Sequence, residues 1–278
     1  MRVIIVAVNF NSEAALTRML DSVPSAAPIH IDIVIVDNSN SLPASFSSKR
    51  RDKDLRILKP KKNLGYMGGF HYALESDEVH DNTDLVILTN PDIRFDCDFF
   101  SRLGCLALRA DVAVLAPKVI AKPSNIRQNP FMRQRPSAFW LLIRLFWHSN
   151  RFLYRFYEAM SLAKRKLNEN KAYPCRGAAI FEDIYAPHGS LLIFSGVFLS
   201  DGWLPRYFGF LYGEEIFVAE QVVAANMKAR YCPDLVAYHD EHVSTGHMAS
   251  KLVVRCSRES LWGLYKTYFN PFKVIKFK

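Results

Sequence analysis

A carboxylate stands where a buried segment of this chain ends. Val86-Ile87-Leu88-Thr89 has the apolar character of a strand, and Asn90-Pro91-Asp92 follows it directly. A carboxylate held by a proline at a strand end is well placed to bind a hard divalent cation such as Mg²⁺ or Mn²⁺. The same tripeptide is also typical of a turn that opens a loop, so the motif alone leaves both interpretations open.

Two further acidic residues, Glu214 and Glu215, come directly before the apolar run Ile216-Phe217-Val218. This pattern predicts a helix that begins near Glu214, and a helix N-terminus keeps carboxylates ionised, as a general base requires. Acidic residues are also common in the first turn of any helix. His239 ends a predicted strand and is a candidate metal ligand, although a lone histidine is more often structural.

The third candidate element is Asn63-Leu64-Gly65-Tyr66-Met67-Gly68-Gly69, which precedes a helical pattern. Glycines let the backbone approach a ligand, and a helix N-terminus favours phosphate. The spacing matches neither the dinucleotide-binding nor the P-loop signature, which argues against a dehydrogenase or a P-loop NTPase. A plain turn from strand to helix explains the glycines equally well.

The elements that must position these residues alternate along the first half of the chain. Continuous apolar strands separated by helical patterns predict a mostly parallel sheet covered on both faces. Ligands then bind beyond the carboxyl ends of the strands. We expect Pro117 to end the regular section. The predicted strands are Val3–Val8, Ile31–Val36, Leu55–Leu58, Asp84–Leu88, Val112–Ala116, Ser190–Phe194, Ala229–Cys232 and Leu235–His239; the predicted helices are Ser12–Val23, Tyr66–Ser76, Asp96–Leu108, one starting near Glu214, and a tail helix over about Ala249–Tyr268.

Composition excludes several classes of protein. The 278 residues are 50% hydrophobic and 23% charged, as in a folded protein and unlike a disordered chain. The five cysteines are odd in number and widely spaced and contain no CxxC pair, so a zinc ribbon is disfavoured and a reducing compartment is favoured. No apolar stretch is long enough to span a bilayer, and the short N-terminal apolar run lacks a cleavage site. These features predict a cytoplasmic protein.

The net charge of +9 is concentrated in two segments. Residues 127–171 contain ten Lys or Arg against two Glu, residues 251–278 contain seven against one, and the remainder is net acidic. Both segments are also rich in Trp, Tyr and Phe, a combination that suits the surface of an anionic membrane. Helices that pack on each other with extended arginines are the alternative. No nucleic-acid motif accompanies the charge, so nucleic acid is not an expected partner.

Taken together, the motifs resemble a known family. VNFNS, IVIVDNSNS, NLGYMGGFHYAL, LTNPDIRF, FLYGEEI and YHDEHVSTG occur in the order found in family 2 glycosyltransferases of the GT-A fold. They are most similar to the rhamnosyltransferase-like and galactofuranosyltransferase-like branch, where NPD replaces the usual DxD. The resemblance covers about residues 1–117 and 186–246.

The resemblance implies an α/β fold: one GT-A domain with a mostly parallel central sheet covered by helices, plus a basic aromatic helical insert and a C-terminal helical tail. The implied division is a nucleotide-sugar-binding half at 1–121, the insert at 122–172, an acceptor and catalytic half at 173–246, and a basic amphipathic tail at 247–278.

The resemblance also assigns roles to residues. Asp92 would bind a divalent cation (Mg²⁺ or Mn²⁺) that bridges the two donor phosphates, and His239 would be a second ligand. Glu215 matches the position of the general base, with Glu214 beside it. The family usually has Glu-Asp there, so which of the two carboxylates is the base stays open. The residues that would line the nucleotide pocket are Asn9, Asp37, Asn63, Gly65 and Asn90.

The implied activity is inverting, metal-dependent transfer of a sugar from a UDP- or dTDP-sugar to a glycan acceptor, expected to be lipid-linked, in surface polysaccharide synthesis. The enzyme would lie at the inner face of the cell membrane. One alternative is a membrane-associated scaffold that kept the fold without catalysis. Another is a sugar nucleotidyltransferase, but its glycine-rich signature after the first strand is replaced here by Asn9-Phe10-Asn11-Ser12.

Overall fold

The computed structural model describes residues 1–43, 46, 55–76, 83–169, 181–240 and 251–270, and the side chains of 161–169 are not described. Parts of every predicted segment therefore lie outside the described residues: 44–45, 47–54 and 77–82 of the first half, 170–172 of the insert, 173–180 and 241–246 of the second half with most of the YHDEHVSTG motif, and 247–250 and 271–278 of the tail.

One nine-stranded sheet forms the centre of the protein. Its strands run in the order β3-β2-β1-β4-β8-β6-β9-β5, and β7 pairs with β9 as well. The strands are β1 Arg2–Asn9, β2 His30–Asp37, β3 Leu55–Leu58, β4 Leu85–Thr89, β5 Ile93–Phe95, β6 Val112–Lys122, β7 Glu182–Ile184, β8 Leu191–Ser195 and β9 Lys228–Asp240.

The sheet is parallel in its first half and mixed in its second. Strands β1 to β4 pair in parallel, as predicted. Strand β8 then runs antiparallel to both β4 and β6, and β5 and β7 run antiparallel to β9. Among the strands of this half that the structure describes, only the β6–β9 pair is parallel. The predicted α/β fold, with a mostly parallel central sheet covered by helices, is confirmed, and the antiparallel pairs lie in the second half of the sheet.

Helices cover both faces of the sheet because successive strand residues point to opposite sides. In β1, Ile4 and Val6 belong to one core cluster and Val3 and Ile5 to the other. The helices are α1 Glu13–Asp21, α2 Gly65–Leu74, α3 Phe99–Gly104, α4 Ala138–Trp147, α5 Arg151–Glu169, α6 Gly196–Ser200, α7 Glu214–Ala224 and α8 Lys251–Leu264, the last continued by a π-helical turn at Tyr265–Phe269.

Two sequence-based expectations about strand ends are wrong. Pro117 does not close the regular section: it lies inside β6, at a register irregularity where a missing N–H is tolerated. The two short strands predicted around Cys232 and Leu235 are one strand, β9, which is irregular opposite Pro117. Strands β5 and β7, three residues each, were not predicted.

The insert and the tail pack against the body and against each other. Helix α4 contacts α8, α5 and the π-helical turn, and its Leu141 is fully buried. Arg135 forms a bidentate ion pair with buried Glu220 of α7 and donates to the Tyr268 carbonyl. Among the described helices, none combines the length and apolar character that crossing a bilayer demands.

Candidate active site

Asp92 and His239 come together through the pairing of β5 with β9. Ile93 is the register partner of His239, and the Asp240 N–H donates to the Asp92 carbonyl over 2.9 Å. The two side chains therefore meet, with the Nε2 atom of His239 3.2 Å from the Oδ1 atom of Asp92. Both are largely buried. The sheet register thus joins two motifs that lie far apart in the sequence.

The hydrogen bond on the other ring nitrogen of His239 shows how this pair could hold a cation. Its Nδ1 lies 2.8 Å from the Oε1 atom of Gln128, an acceptor, so Nδ1 is the nitrogen that donates there and Nε2 is the nitrogen that faces the Asp92 carboxylate. Two lone-pair donors at this separation fit neighbouring positions in a Mg²⁺ or Mn²⁺ shell, where ligands lie ~2.1 Å from the ion. A buried carboxylate with an imidazole is a donor set that fits the implied cation.

The chain holds the end of β9 firmly at this point. Asp240, next to His239, forms a bidentate ion pair with Arg94 of β5 and lies 3.6 Å from Arg18 of α1. The Arg94 contact ties β9 to β5, which begins directly after Asp92, and the Arg18 contact ties β9 to α1. They therefore limit movement of the pair.

A loop that the sequence analysis missed lies beside Asn90 and His239. The Asn90 N–H donates to the Ser190 carbonyl over 2.9 Å, and the His188 and His239 rings meet edge to face at 6.1 Å. Buried Asn129 accepts from the His188 N–H over 2.7 Å, and His188 Nδ1 lies 2.8 Å from the Ser190 hydroxyl. The signal available in the sequence was His188-Gly189-Ser190 immediately before a buried strand.

Glu214 and Glu215 begin α7, as predicted, on a sharply turned segment. Tyr212 and Gly213, which precede them, both have positive φ, 66° and 83°, and this left-handed turn sets the direction of the helix start. Glu214 packs against Gly189 so closely that a Cβ on the glycine would lie 2.8 Å from the Glu214 Cγ atom. Glu215 accepts a hydrogen bond from the Gly189 N–H.

The surroundings of these two half-buried carboxyl groups raise their pKa values. Burial, and then the charge of Glu215, raises the pKa of Glu214 to about 8. Burial also raises the pKa of Glu215, but its own N–H, the Gly189 N–H and the Arg144 guanidinium oppose the rise. At neutral pH the pair therefore holds a proton, with Glu215 the better stabilised anion. An ionised carboxylate beside a protonated one is suited to accept a proton.

Tyr66 contacts the Gly189 loop and interacts electrostatically with the two glutamates and with Asp92, a candidate metal ligand. Its hydroxyl donates to the Gly189 carbonyl over 2.8 Å. Burial and the charges of Glu214, Asp92 and Glu215 raise its pKa well above the usual value, so it stays a neutral donor. The Tyr66 side chain therefore interacts electrostatically with both the predicted base and the predicted metal ligand.

The glycine-containing segment reaches the same place from the other side. Asn63 Oδ1 accepts from the Gly65 N–H over 2.8 Å and turns the chain into α2. Gly65 has φ 74°, and a Cβ there would collide with the Phe210 carbonyl. Asn38, which follows Asp37, binds both ends of this turn through Leu64 N–H and the Gly65 carbonyl. The segment therefore packs directly on the loop that leads to Glu214.

Asn9 and Asp37 lie side by side at the ends of β1 and β2. The Asn9 amide donates to Asp37 Oδ1 over 3.0 Å, and both side chains are fully buried. Ser39 and the Leu42 N–H also donate to Asp37. Burial raises the pKa of Asp37, but these hydrogen bonds outweigh it and the net pKa is lowered. The Asn9–Asp37 pair therefore holds the loops that follow β1 and β2 in place through buried hydrogen bonds.

The predicted site residues thus form two groups. Asn90, Asp92, His239, Glu214 and Glu215 border the His188–Ser190 loop, and Asn63 with Gly65 adjoins them through Phe210. Asn9 and Asp37 lie at the same edge of the sheet, one strand or two from β4, and contact their own loops.

Comparison with known proteins identifies the fold. No protein-family model and no curated protein sequence matches this chain. Solved structures do. The first 349 residues of S. aureus TarS align with 14% identity and a TM-score of 0.54, over 86% of this chain and 60% of that one. GalNAc-T7 with UDP, GalNAc and Mn²⁺ aligns with 14% identity and a TM-score of 0.60, over 97% of this chain and 49% of that one.

A third similar structure is the mannosyltransferase PcManGT from Pyrobaculum calidifontis in complex with GDP-Man and Mn²⁺, with 15% identity and a TM-score of 0.52, over 88% of this chain and 58% of that one. This chain spans about half to three-fifths of the length of these three structures. The likeness confirms the α/β fold with a helix-flanked central sheet, of the kind found in GT-A glycosyltransferases.

Proposed function

We propose that this chain is a metal-dependent glycosyltransferase that moves a sugar from a nucleoside-diphosphate donor to a hydroxyl of a glycan acceptor. The observation that supports this most directly is the convergence of two chemistries on the His188–Ser190 loop. Asp92 and His239 offer two ligand atoms to a divalent cation. Glu215 is a carboxylate whose neighbour, Glu214, has a raised pKa and holds a proton at neutral pH. Structures of similar fold are described with UDP-GlcNAc or with GDP-Man and Mn²⁺.

In this proposal Asp92 and His239 would hold the cation, and the bound cation would supply positive charge that stabilises the leaving diphosphate. Asn90 is fixed beside Asp92 by its hydrogen bond to Ser190. The turn at Asn63 and Gly65 borders the nucleoside, while Asn9 and Asp37 shape the loops of the pocket through their mutual hydrogen bonds. The observed contacts of each predicted binding residue are therefore compatible with the role proposed for it.

Glu215 is the proposed general base. It is held by the Gly189 N–H, and Arg144 favours its ionised form. It would take the proton of the acceptor hydroxyl as that oxygen attacks the anomeric carbon from the face opposite the leaving diphosphate, which inverts the configuration. General-base assistance contributes ~10²–10⁴-fold to rate. Glu214 is the other candidate for this role. Below pH 8 its raised pKa keeps it mostly protonated, so it is less able than Glu215 to accept a proton.

The finer parts of the proposal concern the donor, the acceptor and the location. We propose a UDP- or dTDP-sugar as donor and a lipid-linked glycan at the inner membrane surface as acceptor, in surface polysaccharide synthesis. The support is the resemblance of the motifs to the rhamnosyltransferase-like branch and the two basic aromatic segments. The proposed division of the chain at 121, 172 and 246 follows the same reasoning.

The experiment is release of nucleoside diphosphate from a panel of UDP-, dTDP- and GDP-sugars, with Mn²⁺ or with EDTA. The proposal expects one donor class to be consumed only with the cation, and it expects Glu215→Gln to abolish consumption while nucleotide binding persists. Pyrophosphate release from a nucleoside triphosphate and a sugar phosphate would instead identify a nucleotidyltransferase. No turnover and no nucleotide binding by folded protein would favour the scaffold.

A further inference from the structure

The outer sides of α4 and α5 carry a row of large apolar side chains that no described part of the chain covers. On α4 they recur at intervals of three and four residues, which places them on one face of the helix. Their exposure ranges from 40% for Ile143 to 79% for Phe152. We call this surface the hairpin face; it consists of Phe139, Leu142, Ile143 and Phe146 on α4, and Phe152, Phe156 and Met160 on α5.

The inner sides of the same helices are packed, so the exposure is not a sign of a loose hairpin. Leu141 and His148 of α4 are buried, and the His148 ring packs edge to face on Tyr154 of α5 with ring centroids 5.0 Å apart. The α4 helix rests on α8. A contiguous apolar surface on an otherwise well-packed domain is typical of an interaction site.

The charges around the hairpin face are mostly positive. Residues 131–160 include five arginines and one acidic residue, Glu158. Arg133 and Arg135 are paired with Glu182 and Glu220. Arg151 and Arg155 are exposed, one turn apart on α5, beside the exposed rings of Phe152 and Phe156. Cations next to exposed rings suit a surface that is apolar inside and anionic outside.

We infer that the hairpin face docks on the surface of an anionic lipid bilayer. The rings of α4 and α5 enter the boundary between headgroups and acyl chains, and Arg151 with Arg155 meets lipid phosphates. A second copy of this chain fits less well, because a two-fold contact through this face would bring two copies of the same basic residues into one interface. The net positive charge of the face therefore favours the bilayer.

A groove extends the hairpin face onto α8. Leu142 and Leu145 of α4 and Trp262 of α8 line it, with Arg258 and Glu259 at its edge, and its volume is about 490 Å³. Lys266 lies over the Trp262 ring, 5.4 Å from its centroid. The tail helix thus adds an apolar ring and a cation to the same docking surface, next to α4.

The docking surface and the candidate site share their supporting helices. Arg144, on the inner side of α4, stacks on Trp140 and Tyr157 at 4.9 and 5.3 Å and acts electrostatically on Glu215. Ser260 of α8 donates to the Leu211 carbonyl, three residues before Glu214. Docking would therefore bring a membrane-held acceptor to the side of the protein that carries Glu215. This delivery of the acceptor rests on the proposed function, whereas the docking itself does not.

The test is co-sedimentation of the full chain with vesicles of phosphatidylcholine alone or with about a third phosphatidylglycerol, at low and high salt. We expect binding to the anionic vesicles that weakens with salt. The double variant Phe152→Ser/Phe156→Ser should bind at least ~100-fold more weakly, because both rings that enter the apolar boundary are lost. Arg151→Gln/Arg155→Gln should lose mainly the salt-sensitive part. Val197→Ser, an exposed apolar change on α6, is the matched control and should bind as the parent does.

Equal vesicle binding by the parent and the double phenylalanine variant would overturn the inference, as would failure of the parent to bind any vesicle. A parent dimer in light scattering that the double variant loses would assign the face to a second copy and also overturn it. Stabilisation of the variants by UDP or dTDP with Mn²⁺ is measured in parallel. If the nucleotide stabilises the protein but no vesicle binding is seen, the docking inference fails and the proposed glycosyl transfer stands. If vesicle binding is seen but the nucleotide does not stabilise the protein, the docking inference stands and the proposed function fails.

Discussion

The Nε2 atom of His239 lies 3.2 Å from the Oδ1 atom of Asp92, and the pairing of β5 with β9 sets this distance. The two residues belong to motifs separated by almost 150 positions. Gln128 orients the ring from behind, over 2.8 Å. This arrangement leaves the imidazole little freedom to turn away, and its consequences can be measured.

Gln128→Ala should weaken Mn²⁺ binding ~10–100-fold, because loss of a hydrogen bond that orients a histidine ligand typically costs this much metal affinity. Titration of Mn²⁺ by electron paramagnetic resonance measures the affinity directly. Gln134→Ala changes an exposed residue of the same type and should leave it unchanged. Equal Mn²⁺ affinity in the parent and Gln128→Ala would separate His239 from the metal.

Glu215→Gln should lower turnover ~10²–10⁴-fold while it preserves donor binding, since a glutamine keeps the shape and loses the base. Glu214→Gln should lower turnover less, because at neutral pH the high pKa of this group already keeps it protonated. Rates of nucleotide release together with the donor dissociation constant separate the two effects. The opposite ranking of the two variants would make Glu214 the base.

Arg144→Gln should move the acidic limb of the pH profile of kcat/KM to higher pH. The guanidinium favours the ionised form of Glu215 and lowers its pKa against the effect of burial. Its removal raises that pKa, so a higher pH is needed to ionise the base, and activity lost at neutral pH returns at alkaline pH. Arg144→Lys should keep most of the parent profile, and Arg102→Gln, an exposed change on α3, should leave it in place. An acidic limb with the same midpoint in Arg144→Gln as in the parent would contradict this role of Arg144.

Gly65→Ala should destabilise the fold more than Gly202→Ala, although the two glycines have nearly the same φ, 74° and 73°. A left-handed backbone costs an alanine ~1–2 kcal/mol at either position. At Gly65 the new Cβ also collides with the Phe210 carbonyl, whereas nothing lies within 4 Å at Gly202. Urea unfolding of both variants measures the difference. Equal losses would show that the turn at Asn63 can move away from the Glu214 loop.

The parts of the fold that the sequence predicts are those with a strong local pattern. Strands β1, β2 and β4 are built on apolar runs, and each ends at a polar residue where the chain turns. The helix at Glu214 was readable from two carboxylates before an apolar run. Sequence alone also placed Asp92 and His239 at strand ends. These features depend on residues that are close together in the chain.

The features that escaped prediction depend on distant residues. Strand β5 is only Ile93-Arg94-Phe95, and it exists because it pairs with β9. Pro117 has the usual appearance of a strand terminator, yet the irregular partner in β9 accommodates it. Gly189 and Arg144 carry no local sign of a role beside Glu215. Contacts between distant segments give them that position, and one sequence does not encode those contacts visibly.

The most direct test of the account is calorimetric titration of UDP and of dTDP into the parent and into Asp92→Asn, each with Mn²⁺ and with EDTA. Asn has nearly the shape of Asp but lacks the charge that a divalent cation needs. The account predicts that one nucleotide binds the parent with Mn²⁺, and that EDTA and Asp92→Asn each weaken that binding to a similar extent. Binding that is equally tight in EDTA, or equally tight in Asp92→Asn with Mn²⁺, would contradict it.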